Sequence, residues 1–211
     1  MSSETIDYYN RHAAKYAEET VNVDMAALYA AFLSMVKPGG HILDAGCGSG
    51  RDASFFKQQG FTVSAFDASK EMARLASERL QQTVAVHNFE QLDEAEAFDA
   101  IWCCASLLHV ARQTLPDVFS RLQRALKPGA VLYVSFKYGD SERELNGRRF
   151  TDMNEEKLKN LVAAVSSLSI SKTWVTQDQR PERKRQLQAE HYLAQHQQLA
   201  DSAITEQPYA D

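Results

Sequence analysis

Between a short apolar run, His41-Ile42-Leu43-Asp44-Ala45, and a helical pattern from Gly50 to Gln59 stands a glycine-spaced turn, Gly46-Cys47-Gly48-Ser49-Gly50. Glycines at that spacing let the backbone pass close to a ligand, and a turn from buried strand to helix is where open α/β sheets bind small molecules. The signals around it continue in alternation. Phe61 to Phe66 reads as a strand, Ser69 to Gln82 a helix, Thr83 to His87 a strand, Phe98 to Cys103 a strand, Thr114 to Leu126 a helix and Ala130 to Phe136 a strand. Strands joined by helical crossovers pair in parallel, with helices covering both faces. The expected class is therefore α/β, a doubly wound and mainly parallel sheet.

Two amphipathic helices precede the sheet, Glu4 to Tyr16 and Val23 to Val36, and Asp24 is placed to cap the second. After Phe136 a polar stretch, 137–151, reads as a long loop. Helix then returns from Asp152 to Val165 and strand from Leu168 to Thr176. The chain divides into an N-terminal helical cap (1–40), an α/β domain (41–177), and a charged segment with a polar tail (178–211), whose last residues, 200–211, read as frayed. At 211 residues these are parts of one domain.

Charge and composition narrow the function. The net charge is −5, and only 137–185 holds more basic than acidic side chains, eleven against eight, so a nucleic-acid partner is disfavoured. No apolar run reaches the roughly 18 residues of a membrane span, and the N-terminus lacks the build of a secretion signal. Cys47, Cys103 and Cys104 read as reduced thiols, which points to a cytoplasmic setting, and their spacing makes no metal site. Nothing points to an obligatory protein partner.

Asp67 stands at the end of the second strand, where a carboxylate can accept hydrogen bonds from both hydroxyls of a ribose. A dinucleotide fingerprint would need Gly or Ala at position 51, but Arg51 is there; no Lys-Ser/Thr ending completes a phosphate-binding loop either. Asp44, inside the strand end, suits a cationic amine better than a pyrophosphate. A ligand with a ribose, a positive charge and no phosphate fits best.

This arrangement resembles the class I S-adenosylmethionine-dependent methyltransferases from about Tyr8 to Thr176. His41 to Asp52 looks like their first motif and Phe66-Asp67-Ala68-Ser69 like the second. Phe98 to Cys103 with Leu107-Leu108-His109 looks like the fourth, and Leu126-Lys127-Pro128-Gly129 like the turn before the fifth strand. The resemblance implies a Rossmann-like methyltransferase fold with a seven-stranded type of sheet. It also implies S-adenosyl-L-methionine as cofactor, with S-adenosyl-L-homocysteine as product. Asp44, Ala45, Gly46, Gly48 and Gly50 would hold its methionine part and Asp67 and Ala68 its ribose. Asn88 and Phe89, where many members carry an Asp, would take the adenine, with Cys103 beside the site and Tyr9 and Tyr16 lidding it. No apolar run in 186–197 supplies the family's last antiparallel strand, which is expected to be absent, degraded or supplied otherwise.

Methyl transfer from a sulfonium demands chiefly positioning, and a base only where the acceptor must lose a proton. His109 and Tyr138 are the candidates for that base. Lys137 and Arg149, on the loop after the fifth strand, are the candidates to bind an anionic or polar small-molecule acceptor. Two other functions stay open: an RNA-directed methyltransferase, since relatives that modify tRNA share the Tyr-x-x-x-Ala-x-x-Tyr opening of Tyr9 to Tyr16, and a non-catalytic cofactor-binding module.

Overall fold

The computed structural model describes residues 1–165, 167–177 and 188–196. The charge run at 178–185 and the tail at 200–211 lie outside the described residues. Two helices come first. Helix α1 spans Ser3–Thr20, its first turn capped by the Ser2 hydroxyl, which accepts from the Thr5 amide; α2 spans Ala26–Leu33. The cap expected at Asp24 falls one residue later, on Met25, which offers no side-chain bond; Asp24 instead accepts from the Ala26 amide at 2.9 Å in a turn that leads into the helix.

The sheet then builds as β1 (His41–Ala45), β2 (Thr62–Asp67), β3 (Ala85–Val86), β4 (Phe98–Cys103) and β5 (Leu126–Lys137). Helices α3 (Arg51–Gln58), α4 (Lys70–Leu80) and α5 (Leu115–Ala125) fall among them. The order β3-β2-β1-β4-β5 is parallel throughout, with the switch in direction between β1 and β4. Ligands bind at such a switch point, above the carboxyl ends of the strands. The apolar runs of β1 and β4 serve helices on both faces, which explains why neither alternates. On one face Phe32 of α2, fully buried, meets Phe56 of α3 and Trp102 of β4; on the other Leu122 of α5 packs with Ile101 and Leu132.

Two further expectations need correction. The antiparallel strand looked for in 186–197 is present: β9 (Gln188–His196) lies between β5 and β8 (Leu168–Gln177), antiparallel to both. Its ladders on two sides hold it through the backbone, so its sequence, with Tyr192-Leu193-Ala194 amid polar residues, needs no apolar run. The sheet therefore takes in residues beyond 177. The stretch 137–151 is no loop either. It is largely a hairpin of β6 (Glu142–Leu145) and β7 (Arg148–Thr151), ahead of α6 (Glu155–Ala163). The turn is Asn146-Gly147, with φ of 52° and 71°, the two-residue connection that an Asn-Gly pair favours.

Among the described residues no helix is long and apolar enough to cross a membrane. The α2 contact carries much of the packing of the N-terminal cap. Phe32→Ala, which empties a fully buried site, is expected to destabilise the protein by about 3–5 kcal/mol in denaturant unfolding.

Candidate active site

A cavity opens over the carboxyl ends of β1, β2 and β4, roofed by α1. Of the residues singled out from the sequence, Asp44, Gly46, Gly48, Asp67, Tyr9 and Tyr16 line it. The turn after β1 is shaped by close approach. Gly46 has a φ of 75°, and a Cβ there would come within 2.5 Å of the Ser106 Cβ. Gly48, with a φ of 55°, has nothing within 4 Å on its Cβ side, which leaves space against bare backbone.

Asp67 accepts two backbone bonds, from Gly48 N to Oδ2 and from Ser69 N to Oδ1, both 2.8 Å. These fix the carboxylate while each oxygen keeps a lone pair for a hydroxyl. Burial pushes its pKa up to about 6 against the pull of those two amides. Asp44 is buried and raised well above the usual carboxylate range, first by burial and then by the Asp52 charge; its Oδ2 accepts from Ala53 N at 3.0 Å. A cationic ligand beside it would favour the carboxylate form.

His109 ends a short turn, Leu107–His109, and is buried. Its Nδ1 donates to the Arg149 carbonyl at 2.6 Å, which leaves Nε2 to accept from the Tyr9 hydroxyl at 2.8 Å. Burial pushes the imidazole down to about 3, helped by the charges of Arg148 and Lys137, so it is neutral at any ordinary pH. Both residues line the cavity.

Other expected site residues lie elsewhere. Ala45 and Cys103 are fully buried in the core, and Phe89 packs edge-on against Phe66 with centroids 5.3 Å apart. Gly50 and Ala68 shape their turns without lining the cavity. Asn88 is outside the lining as well, but its Oδ1 is buried with no hydrogen-bond partner, as is Oε2 of the neighbouring Glu90.

The acceptor residues read from 137–151 are not brought to the cavity. Arg149 is paired to Glu142 across the hairpin at 3.0 Å, and Lys137 lies 4.1 Å above the Phe150 ring. Tyr138 is exposed, with its hydroxyl 3.5 Å from Glu155. Cross-strand pairing satisfies the Arg149 charge within the hairpin. What Arg149 gives the site is its backbone: the carbonyl to His109, and the amide to the Thr5 hydroxyl of α1 at 3.0 Å.

Sequence reading missed Thr20, Met25, Leu28, Cys104, Ser135 and Thr176, which line the cavity from several different elements and linkers. No local motif joins them; the one signal is that β4 and β5 end beside the glycine turn.

The residues fit S-adenosylmethionine. The Asp67 carboxylate, fixed by two backbone amides, matches a ribose, and the raised Asp44 matches an ammonium group. Residues 42–129 match the family described as methyltransferase domain. The chain is 33% identical over 97 residues to malonyl-[acyl-carrier protein] O-methyltransferase of Salmonella typhimurium, a match over 43% of this chain and 36% of that one. It is 31% identical over 108 residues to ubiquinone biosynthesis O-methyltransferase of Xanthomonas campestris, over 46% and 43%. The chain thus spans less than half the length of either relative. Among solved structures, Burkholderia thailandensis 1,6-didemethyltoxoflavin-N1-methyltransferase shares the fold at a TM-score of 0.72 and 22% identity, over 92% of this chain and 85% of that one. Residues 42–129 thus match a methyltransferase domain, and the chain as a whole shares the Rossmann-like fold of solved S-adenosylmethionine-dependent methyltransferases.

If Asp67 takes the ribose as a carboxylate, affinity for S-adenosylhomocysteine should fall as pH drops through about 6, where the group gains its proton. Calorimetric titration between about pH 5 and 7.5, a range that brackets this pKa, checks it. Asp67→Asn should weaken binding and abolish that inflection; an inflection that persists in the variant assigns it to another group.

Proposed function

We propose that this chain transfers a methyl group from S-adenosylmethionine to a small polar acceptor. The observation that carries this reading is the Tyr9–His109 hydrogen bond inside the cavity that also holds Asp44 and Asp67. Bound there, S-adenosylmethionine supplies a methyl group on a sulfonium that is already a good leaving group. The chain has to hold the acceptor in line and keep water away.

Tyr9 and His109 are suited to the first task. The imidazole, locked by the Arg149 carbonyl, orients the phenol, whose oxygen keeps lone pairs to accept from an acceptor hydroxyl or amine. Proton removal through the pair is costly, because it would leave a buried imidazolium beside Arg148. The pair therefore positions the acceptor, and acceptors that need no base before transfer suit it best. The two named relatives are O-methyltransferases, which favours oxygen as the accepting atom. The same names include a carrier-protein-bound substrate, so a carrier-linked acceptor belongs among the compounds screened.

The acceptor wall is apolar where Met25 and Leu28 face the cavity and polar at Thr20, Ser135 and Thr176. Ser135 Oγ accepts from the Ala105 amide at 2.7 Å, and Ala105 has a φ of 51°, a strained conformation for alanine. That strain turns the chain from β4 toward the cavity. Cys104 beside it is a protonated thiol, pushed up to about 12 by burial.

A screen of metabolite extracts for S-adenosylhomocysteine formation, with mass identification of the methylated product, tests the proposal. On the acceptor so found, Tyr9→Phe and His109→Gln should each lower kcat roughly 10–100-fold, with S-adenosylhomocysteine affinity near wild type. Wild-type kcat in both variants would remove the pair from the reaction.

A further inference from the structure

The β6–β7 hairpin turns one charge outward and its neighbour inward. Successive side chains of β7 point to opposite faces, so Arg149 lies outside, paired to Glu142, while Arg148 and Phe150 share the inner face. Arg148 is buried, at 5% exposure, and makes no ion pair among the described residues; its Nε is enclosed without a hydrogen-bond partner. The nearby carboxylates are already engaged, Glu142 and Glu144 by Arg149 and Asp152 by Arg143. What faces the Arg148 guanidinium is aromatic: the Tyr8 ring at 4.2 Å and the Phe150 ring at 5.2 Å.

Ring faces offset part of the cost of burying a cation, but a guanidinium held away from water with no carboxylate still favours a negative charge nearby. The cavity lies on that side. Phe150 packs against the His109 ring with centroids 5.0 Å apart, and Tyr8 meets Tyr9 edge-on at 5.5 Å. Arg148 thus stands one layer behind the Tyr9–His109 pair, outside the cavity lining, and its charge is felt by both residues. Lys137, 4.1 Å from the Phe150 ring, acts on His109 in the same sense. Asp44 and Asp67 line the cavity at the donor end, so they do not neutralise this corner. In surroundings of low dielectric a unit charge acts across one layer of side chains far more strongly than it would through water.

We infer that Arg148 selects, by its field on the Tyr9–His109 corner of the cavity, an acceptor that binds as an anion of the carboxylate, phosphate or phenolate class. The inference rests on the methyl-transfer reading and narrows its acceptor. It also fits the limits of the Tyr9–His109 pair, because a pair that positions without taking a proton suits an acceptor whose oxygen is already ionised. The Asn146-Gly147 turn sets the register of the hairpin, and with it which of the two adjacent arginines faces inward.

Small anions test this before any acceptor is known. The protein is saturated with S-adenosylhomocysteine and titrated at constant ionic strength with acetate, inorganic phosphate or neutral acetamide, followed by calorimetry and thermal unfolding. Acetate or phosphate should bind saturably, and acetamide should not. In Arg148→Met the Kd of the anion should rise roughly 10–100-fold, as for removal of one charge acting through a low dielectric, while S-adenosylhomocysteine binds as to wild type. Arg148→Lys keeps the charge and should recover most of the loss. On the acceptor found by the extract screen, Arg148→Met should raise KM and leave kcat nearly unchanged. The inference is overturned if neither anion binds the saturated wild-type protein, if Arg148→Met binds them undiminished, or if the acceptor is uncharged at the assay pH. A matching loss of S-adenosylhomocysteine affinity in Arg148→Met would overturn it too, by making Arg148 a support of the fold. Wild-type protein that does not bind S-adenosylhomocysteine would refute the methyl-transfer reading itself, and the inference with it.

Discussion

One buried carboxylate ties the site together. Asp52 takes the Tyr29 hydroxyl from α2, the Trp102 indole from β4 and the Arg51 guanidinium from its own helix, and Arg51 passes the connection on to the end of α1. Such a buried pair is a weak source of net stability, since desolvation offsets most of the attraction. What it gives is geometry. Every donor and acceptor in the cluster has one best position, so the N-terminal helices sit over the sheet in one arrangement, and the cavity between them keeps its shape.

A second set of contacts closes α1 at its other end. The β6–β7 hairpin brings the Arg149 backbone to Thr5 and to His109, and sets the Arg148 guanidinium 4.2 Å from the Tyr8 ring. Asn10, between these anchors, accepts from the Ser69 hydroxyl at 2.8 Å, beside Asp67. The roof helix is thus held by residues that also shape the cavity or lie beside it.

The strands around the glycine turn are legible in the sequence because burial on both faces of a sheet leaves apolar runs, and because a turn that needs positive φ leaves glycines. His41–Ala45 and Phe98–Cys103 have the bounds the sequence predicts. Asp44 and Asp67 stand out because a carboxylate at a strand end has few purely structural uses. Strand β9 leaves no such mark, since ladders on both sides let a mostly polar sequence be a strand. Asn146-Gly147 is the local signal for the hairpin. A two-residue turn there sets Arg149 directly across from Glu144 and within reach of the Glu142 carboxylate, away from the cavity. Tyr9 meeting His109 across 100 residues of sequence separation has no local trace at all.

The central claim is that α1 roofs a donor site and that filling the site holds it down. Hydrogen exchange over Ser3–Thr20, with and without S-adenosylhomocysteine, measures this most directly. The account predicts slower exchange in this helix on binding, strongest around Tyr9 and toward Thr20. Binding that leaves exchange across the helix unchanged would contradict it.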